Sequence, residues 1–242
     1  MKKNLKIEEL SIIIPIYNEA KNIKRLSLEI KKNLKIKKFE IIFVDDDSKD
    51  NTIKILSEVY KKDKKVRFLI RKNKIKDLSK SCILGFNNSK YNNILVMDGD
   101  FQHDPKYIKR FIYKYNTTLS DIVVGCRNFS YKKKGGLGFL RTSASIFLIS
   151  FINIFLGKKT SDPLSGFFLF KKELFVKSKK KIYGKGFKIL ADIIYNNHNI
   201  NISDVKIKFK KRLYGKSKIN LKILFYLLIF IIGKFKFWKI SI

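Results

Sequence analysis

The chain has 242 residues, of which 54 are Lys or Arg and 20 are Asp or Glu, giving a formal charge of +34, and 45% of its side chains are hydrophobic. That apolar share supports a sizeable core and excludes disorder as a description of the whole, and the length suits one large α/β domain, alone or with a short appendage. The charge suggests nucleic acid at first, but only seven of the basic residues are Arg, and Lys, Ile and Asn abound everywhere, as coding bias on solvated faces would produce.

The N-terminal MKKNLKIEEL lacks the apolar stretch of a signal peptide. Cys82 and Cys126 have no metal-like or framework spacing, so both are expected to be buried thiols in a reducing compartment. Two apolar runs, IFLISFINIFLG at 146–157 and LKILFYLLIFIIG at 221–233, are followed by lysines. Each is shorter than the roughly 20 residues needed to span a bilayer, and a helix lying in the membrane interface fits better. A buried core helix is the competing reading.

In chain order, SIIIPI (11–16) reads as a strand and is followed by an amphipathic helix beginning near Asn18. EIIFV (40–44) is a second strand; the DDDSKDNT that follows favours a turn and an N-cap for a helix from about residue 52. VRFLI (66–70) is a third strand, LSKSCILGFNNS a helix, and NILVM (93–97) a fourth strand. Pro105 opens the next helix, and DIVVG (121–125) is a fifth strand. This alternation predicts a mostly parallel sheet covered on both faces, with ligands beyond the carboxyl ends of the strands.

Three polar clusters fall at such ends: Pro15-Ile16-Tyr17-Asn18-Glu19, then Asp45, Asp46 and Asp47, then Asp98-Gly99-Asp100 with Gln102. Gathered acidic loops repel one another unless a cation or a donor-rich ligand is present. Asp98 and Asp100, at i and i+2, are able to face one ion in extended backbone, and hard oxygen donors of this kind suit Mg2+ or Mn2+ shared with substrate phosphates. An Asp-Gly turn that merely closes the strand is the plain alternative. Neither phosphate-binding glycine motif of nucleotide-binding α/β proteins is present. The Gly-rich loop at 135–138, behind three lysines, reads equally as a lid over an anionic substrate or as a solvent loop.

The segments SIIIPIYNEAKNI, EIIFVDDDSKDNT, VMDGDFQHDP, GCRNF, DPLSGFFLFKKE, GFKILADI and FKKRLYGKSKI occur in this order. Together they resemble family 2 glycosyltransferases of GT-A fold, most of all the polyprenol (dolichol) phosphate mannose synthases, over about residues 11–218. The resemblance implies a catalytic domain at 1–218; the apolar run and the lysines around it make 219–242 a membrane-interface helix with a basic tail. The resemblance also implies that Pro15, Tyr17, Glu19, Asp45 and Asp46 hold the nucleotide, and that Asp98, Asp100 and Gln102 hold Mg2+ or Mn2+ on the diphosphate. Arg127, Arg141, Ser145, Arg212 and Lys218 match positions that recognise the acceptor phosphate. Asp192 stands where relatives commonly have Glu; it either orients the sugar or is a helix-surface carboxylate.

The implied reaction is inverting transfer of a hexose, foremost mannose from GDP-mannose, to a polyprenyl or dolichyl phosphate at the cytoplasmic face of the membrane, by a peripheral or monotopic enzyme. UDP-glucose or another UDP-sugar is the alternative donor. An enzyme acting on a sugar hydroxyl would need a placed general base, for which Asp192 is the one weak candidate. A nucleic-acid-binding module has no RRM, KH or helix-turn-helix signature to support it, and no obligatory protein partner is inferred. Two departures bear on the site: Asp77 stands where the family usually has Gly, and Asp104 where relatives often have Pro.

Overall fold

The computed structural model describes residues 6–72, 75–127, 153, 157, 159–184, 186 and 189–210. Four strands and their crossovers follow the expected order: β1 (Glu9–Ile16), α1 (Ala20–Asn33), β2 (Lys38–Asp45), α2 (Thr52–Lys62), β3 (Val66–Ile70), α3 (Leu78–Asn88) and β4 (Asn93–Val96). A 3-10 turn at Pro105–Tyr107 leads into α4 (Ile108–Thr118), β5 (Ile122–Arg127), β6 (Phe168–Lys171), α5 (Lys172–Ser178), α6 (Ile189–Tyr195) and β7 (Ile202–Ile207). The sheet order is β3-β2-β1-β4-β6-β5-β7. Among the described strands β6 alone runs antiparallel, between β4 and β5.

β1 is buried along nearly its whole length because helices cover both faces of the sheet. Its side chains alternate accordingly. Leu10, Ile12, Ile14 and Ile16 enter one core with Ile23 and Leu26 of α1, Leu56 of α2 and Phe111 of α4, whereas Ile13 enters the other with Phe86 of α3, Phe175 of α5 and Ile193 of α6. Cys82 and Cys126 are buried free thiols, as expected, and burial raises the pKa of both. α1 starts two residues later than the sequence suggests, because Asn18 sits in the left-handed region at φ 55°.

Close packing of α3 on the sheet depends on Gly85, where an added Cβ would lie 2.4 Å from Ile13 Cγ2 and 3.2 Å from Val44 Cγ2. Gly85→Ala is therefore expected to destabilise the fold by about 1–3 kcal/mol through overpacking, despite the better helix propensity of Ala. A urea unfolding midpoint checks this.

The chain winds from β1 outward through β2 and β3, then returns to place β4 on the opposite side of β1. That reversal is a topological switch point, and it opens a crevice beyond the carboxyl ends of β1 and β4. Pro15 lies two residues past the last β1–β4 pair, Ile13↔Val96, on the side of the strand that faces β4, so its missing N–H breaks no ladder bond. No helix among the described residues is long and apolar enough to cross a membrane. The segments 146–157 and 219–242 lie outside the described residues except for Asn153 and Gly157.

Candidate functional site

On one side of the crevice, three loops following β1, β2 and β3 are bound into a single floor. The Asn18 N–H donates to Ser48 Oγ at 2.7 Å, and Asn18 Oδ1 accepts from the Lys49 N–H at 2.8 Å. Asp45, wholly buried, accepts from both the N–H and the hydroxyl of Ser48. Asp46 is also buried; its N–H reaches the Ile16 carbonyl at 2.9 Å, its Oδ2 accepts from the Asp77 N–H at 2.7 Å, and its Oδ1 pairs with Arg71 Nη2 at 2.5 Å. Lys76 lies over the Tyr17 ring, 5.3 Å from its centroid, and Glu19 accepts from Asn22 Nδ2 at 2.6 Å.

Asp77 has a structural reason to differ from glycine. Its carboxylate caps α3 through the Lys80 N–H at 3.1 Å and also accepts from the Gly186 N–H at 3.0 Å, tying this floor to the segment before α6.

The carboxylate pair follows β4. Gly99 permits the close approach of this loop to β1: a Cβ there would sit 2.6 Å from Ile16 Cγ2 and 3.8 Å from Glu19 Cγ. The loop then folds back on itself, with the Gln102 N–H on Asp100 Oδ1 at 3.0 Å and the Asp98 N–H on His103 Nδ1 at 3.0 Å. Phe101 adopts φ 63° to make this turn. Asp100 is buried, and Asp98 retains 29% side-chain exposure.

His103 is held neutral. Burial pushes its pKa down to about 4, against the pull of Asp100 and with the help of Arg127. Its Nδ1 accepts from Asp98, which places the proton on Nε2. Because the folded pKa lies below the ordinary 6.5, the unfolded chain binds more protons between these values. Stability is therefore expected to fall as pH drops from about 6.5 to about 4. Denaturant titrations across that window check this, and His103→Gln should flatten the dependence.

Facing this loop is the turn at 160–166. Asp162, fully buried, accepts from Arg127 Nε at 2.7 Å and Arg127 Nη2 at 2.9 Å, so the guanidinium at the end of β5 is gripped as a fork. Burial works against the charge on Arg127, but Asp162 and then Asp98 outweigh it and raise its pKa. Four residues on, Gly166 packs against the first carboxylate. A Cβ at this position would lie 3.1 Å from Asp98 Oδ1 and 3.3 Å from His103 Cε1.

The end of β7 closes the far side. The Lys210 N–H donates to the Gln102 carbonyl at 3.1 Å, and Gln102 Nε2 donates to the Lys210 carbonyl at 3.3 Å. Lys210 Nζ also meets Asp104 at 2.8 Å. Burial would lift the Asp104 carboxyl, yet Lys210 and the N–H and ammonium of Lys106 hold it below the usual carboxylate range. Asp104 thus caps the Pro105 turn where relatives often have Pro.

Asp192 is not on a helix surface. It is 2% exposed and accepts from the Gly184 N–H at 3.0 Å and from Asn196 Nδ2 at 3.2 Å. Arg141, Ser145, Arg212 and Lys218 lie outside the described residues.

Residues 11–178 match the family model described as glycosyl transferase family 2. The chain belongs to glycosyl transferase family 2. It is 35% identical over 219 residues to a dolichol-phosphate mannosyltransferase of Pyrococcus furiosus, covering 90% of this chain and 61% of that protein, so it spans less than two thirds of that relative's length. A dolichol-phosphate mannosyltransferase of Mycosarcoma maydis is 27% identical over 226 residues, covering 89% of this chain and 75% of that one. The fold is shared with the glucosyl-3-phosphoglycerate synthase of Mycobacterium tuberculosis, solved with Mn2+, UDP and glucosyl-3-phosphoglycerate, at a TM-score of 0.63 and 14% identity over 91% of this chain and 76% of that one. This is the GT-A arrangement that the sequence implies.

Within this family 2 fold, the structure brings Glu19, Asp98, Asp100, Gln102 and Arg127 around one crevice. It also adds residues to which the sequence reading gave no role: Arg71, His103, Asp162 and Gly166. Asp162 and Gly166 were legible as part of DPLSGFF, but their contacts run to β5 and to the loop after β4, far away along the chain.

Proposed function

We propose that this chain moves mannose from GDP-mannose onto the phosphate of a polyprenyl or dolichyl lipid, inverting the anomeric centre, with Mg2+ or Mn2+ on Asp98, Asp100 and Gln102. The observation that carries this reading is the 160–166 turn. It lays Gly166 against the Asp98 carboxylate and Asp162 on the Arg127 guanidinium, so that a hard-oxygen donor set and a phosphate-seeking cation share one support. The likeness to dolichol-phosphate mannosyltransferases supports the choice of mannose and of a lipid phosphate.

The residues fit a divalent ion. Among the described residues no group of three or more His, Cys, Asp or Glu side chains is disposed to hold a metal. Two carboxylates and one amide oxygen leave most of a coordination shell to water and substrate phosphates, which is how Mg2+ and Mn2+ are commonly held. The absent Cβ of Gly166 leaves the Asp98 carboxylate its space. When bound, such an ion supplies Lewis acidity for a departing diphosphate.

The protein's part is positioning. Pro15, Tyr17, Glu19, Asp45 and Asp46 border the nucleotide, with Asp45 and Asp46 held rigid by Ser48, Arg71 and Asp77. Arg127, with Arg141, Ser145, Arg212 and Lys218, receives the acceptor phosphate. The second pKa of a phosphate monoester is about 6, so the attacking oxygen is already anionic at neutral pH and needs no general base. Asp192, buried on the Gly184 N–H, is suited to orienting the sugar through that fixed backbone rather than to proton transfer. The lipid acceptor and the lysine-flanked apolar runs support peripheral or monotopic attachment at the cytoplasmic face of the membrane.

Comparing turnover of GDP-mannose and UDP-glucose with polyprenyl phosphate in the presence of Mg2+ tests the reading; mannose transfer should dominate, and glucose transfer alone would replace the donor. Gly166→Ala is expected to weaken Mn2+ binding by about tenfold, since a residue that sets a ligand's position commonly matters to that extent. Titration calorimetry with MnCl2 in the presence of GDP reads the change.

A further inference from the structure

Behind the Arg127–Asp162 fork stands a second carboxylate. Asp204, on β7 opposite Val124 of β5, accepts three hydrogen bonds from the turn that carries Asp162. These come from Thr160 Oγ1 at 2.6 Å, the Ser161 N–H at 2.8 Å and Ser161 Oγ at 2.6 Å. Thr160 Oγ1 also receives the Asp162 N–H at 3.4 Å, and so links the Asp204 carboxylate to the Asp162 backbone. Edge strands are usually lined with solvated polar groups, but this one uses its carboxylate to pin a loop in which the next acidic residue is wholly buried.

We propose that Asp204 is a positioning residue for acceptor phosphate recognition: through Thr160 and Ser161 it fixes the turn that holds Asp162, and Asp162 fixes the plane of the Arg127 guanidinium. The proposal rests on the reading of Arg127 as a phosphate ligand. An arginine aligned by a fork on one edge loses little further freedom when it meets a phosphate; the same arginine on a loose turn must be ordered at the moment of binding. The loss on releasing Asp204 should therefore fall on the lipid phosphate and spare the nucleotide.

Two readouts test it on the full chain. In Asp204→Asn, the KM for polyprenyl phosphate should rise about tenfold, the scale of one lost charge-assisted hydrogen bond, while the KM for GDP-mannose stays within about twofold. Independently of turnover, the Arg127 Nε–H should give a slowly exchanging nitrogen-15 NMR signal in the wild type, identified by its loss in Arg127→Lys. In Asp204→Asn that signal should exchange rapidly. Thr160→Val removes only the bridging hydroxyl, serves if the Asn variant folds poorly, and should show both effects in weaker form.

Combining Arg127→Lys with Asp204→Asn should cost no more acceptor affinity than Arg127→Lys alone. An unchanged Arg127 signal in both Asp204→Asn and Thr160→Val, additive losses in the double variant, or equal rises in both KM values would overturn the proposal. If the wild type transferred nothing to polyprenyl phosphate, the functional reading would fall. The NMR signal would still decide whether Asp204 positions Arg127.

Discussion

Asp100→Asn is expected to lower metal-dependent transfer on the order of a thousandfold, the scale seen when one fixed electrostatic contact to developing charge is removed. The substitution isolates charge from architecture. Asp100 Oδ1 accepts the Gln102 N–H at 3.0 Å, and an Asn oxygen accepts it equally, so the turn around Phe101 keeps its hydrogen bond. What is lost is one of the two negative charges beside His103 and with it the hard anionic donor. Urea unfolding should place the variant within about 1 kcal/mol of the wild type. Unchanged turnover in the folded variant would remove Asp100 from the metal site.

The second large effect is expected in stability. Asp162 has no exposed side-chain surface, and Arg127 retains 21%. Asp162→Ala leaves a largely buried guanidinium without its forked partner, and breaking a buried pair from one side commonly costs about 3–5 kcal/mol. Denaturant unfolding should show that loss directly. Asp162→Asn, which keeps one acceptor oxygen, should lose less. If Asp162→Ala unfolded at the wild-type midpoint, the fork would contribute nothing to the fold.

The core of the fold was legible because its signals are local. SIIIPI, EIIFV, VRFLI and NILVM are apolar runs of strand length, and each is followed by turn chemistry and an amphipathic helix. β6 and β7 were not recognised as strands. FLFK is four residues long and follows directly on a turn, so periodicity has little to work with. ISDVKI is an edge strand whose Ser203 and Asp204 are polar for a reason invisible along the chain: they hydrogen-bond to Thr118, Ser120, Thr160 and Ser161.

The same distinction runs through the site. Asp98, Asp100 and Gln102 stood out because they sit together in sequence after a strand. Arg71 and Gly166 act through contacts between loops distant in sequence and His103 through the fold of its own loop, and a lone Arg, His or Gly carries no such mark. Asp77 is the reverse case. Its departure from glycine was plain in the sequence, and the compensation, a carboxylate bridging the Lys80 and Gly186 amides, appears only in three dimensions. The charge of +34 is likewise uneven in its use: acidic residues gather at the β1–β4 switch, and one of the few arginines ends β5 beside them.

Transfer of a sugar to the phosphate of a lipid is the reaction proposed for this chain. It is tested most directly by incubating the full chain with GDP-mannose labelled in the sugar and a polyprenyl phosphate labelled at phosphorus, with Mg2+ or Mn2+ and with EDTA. One organic-soluble product carrying both labels should form with either metal and be absent with EDTA. Sugar label confined to water-soluble products, or appearing on lipid that has lost the phosphorus label, would contradict it.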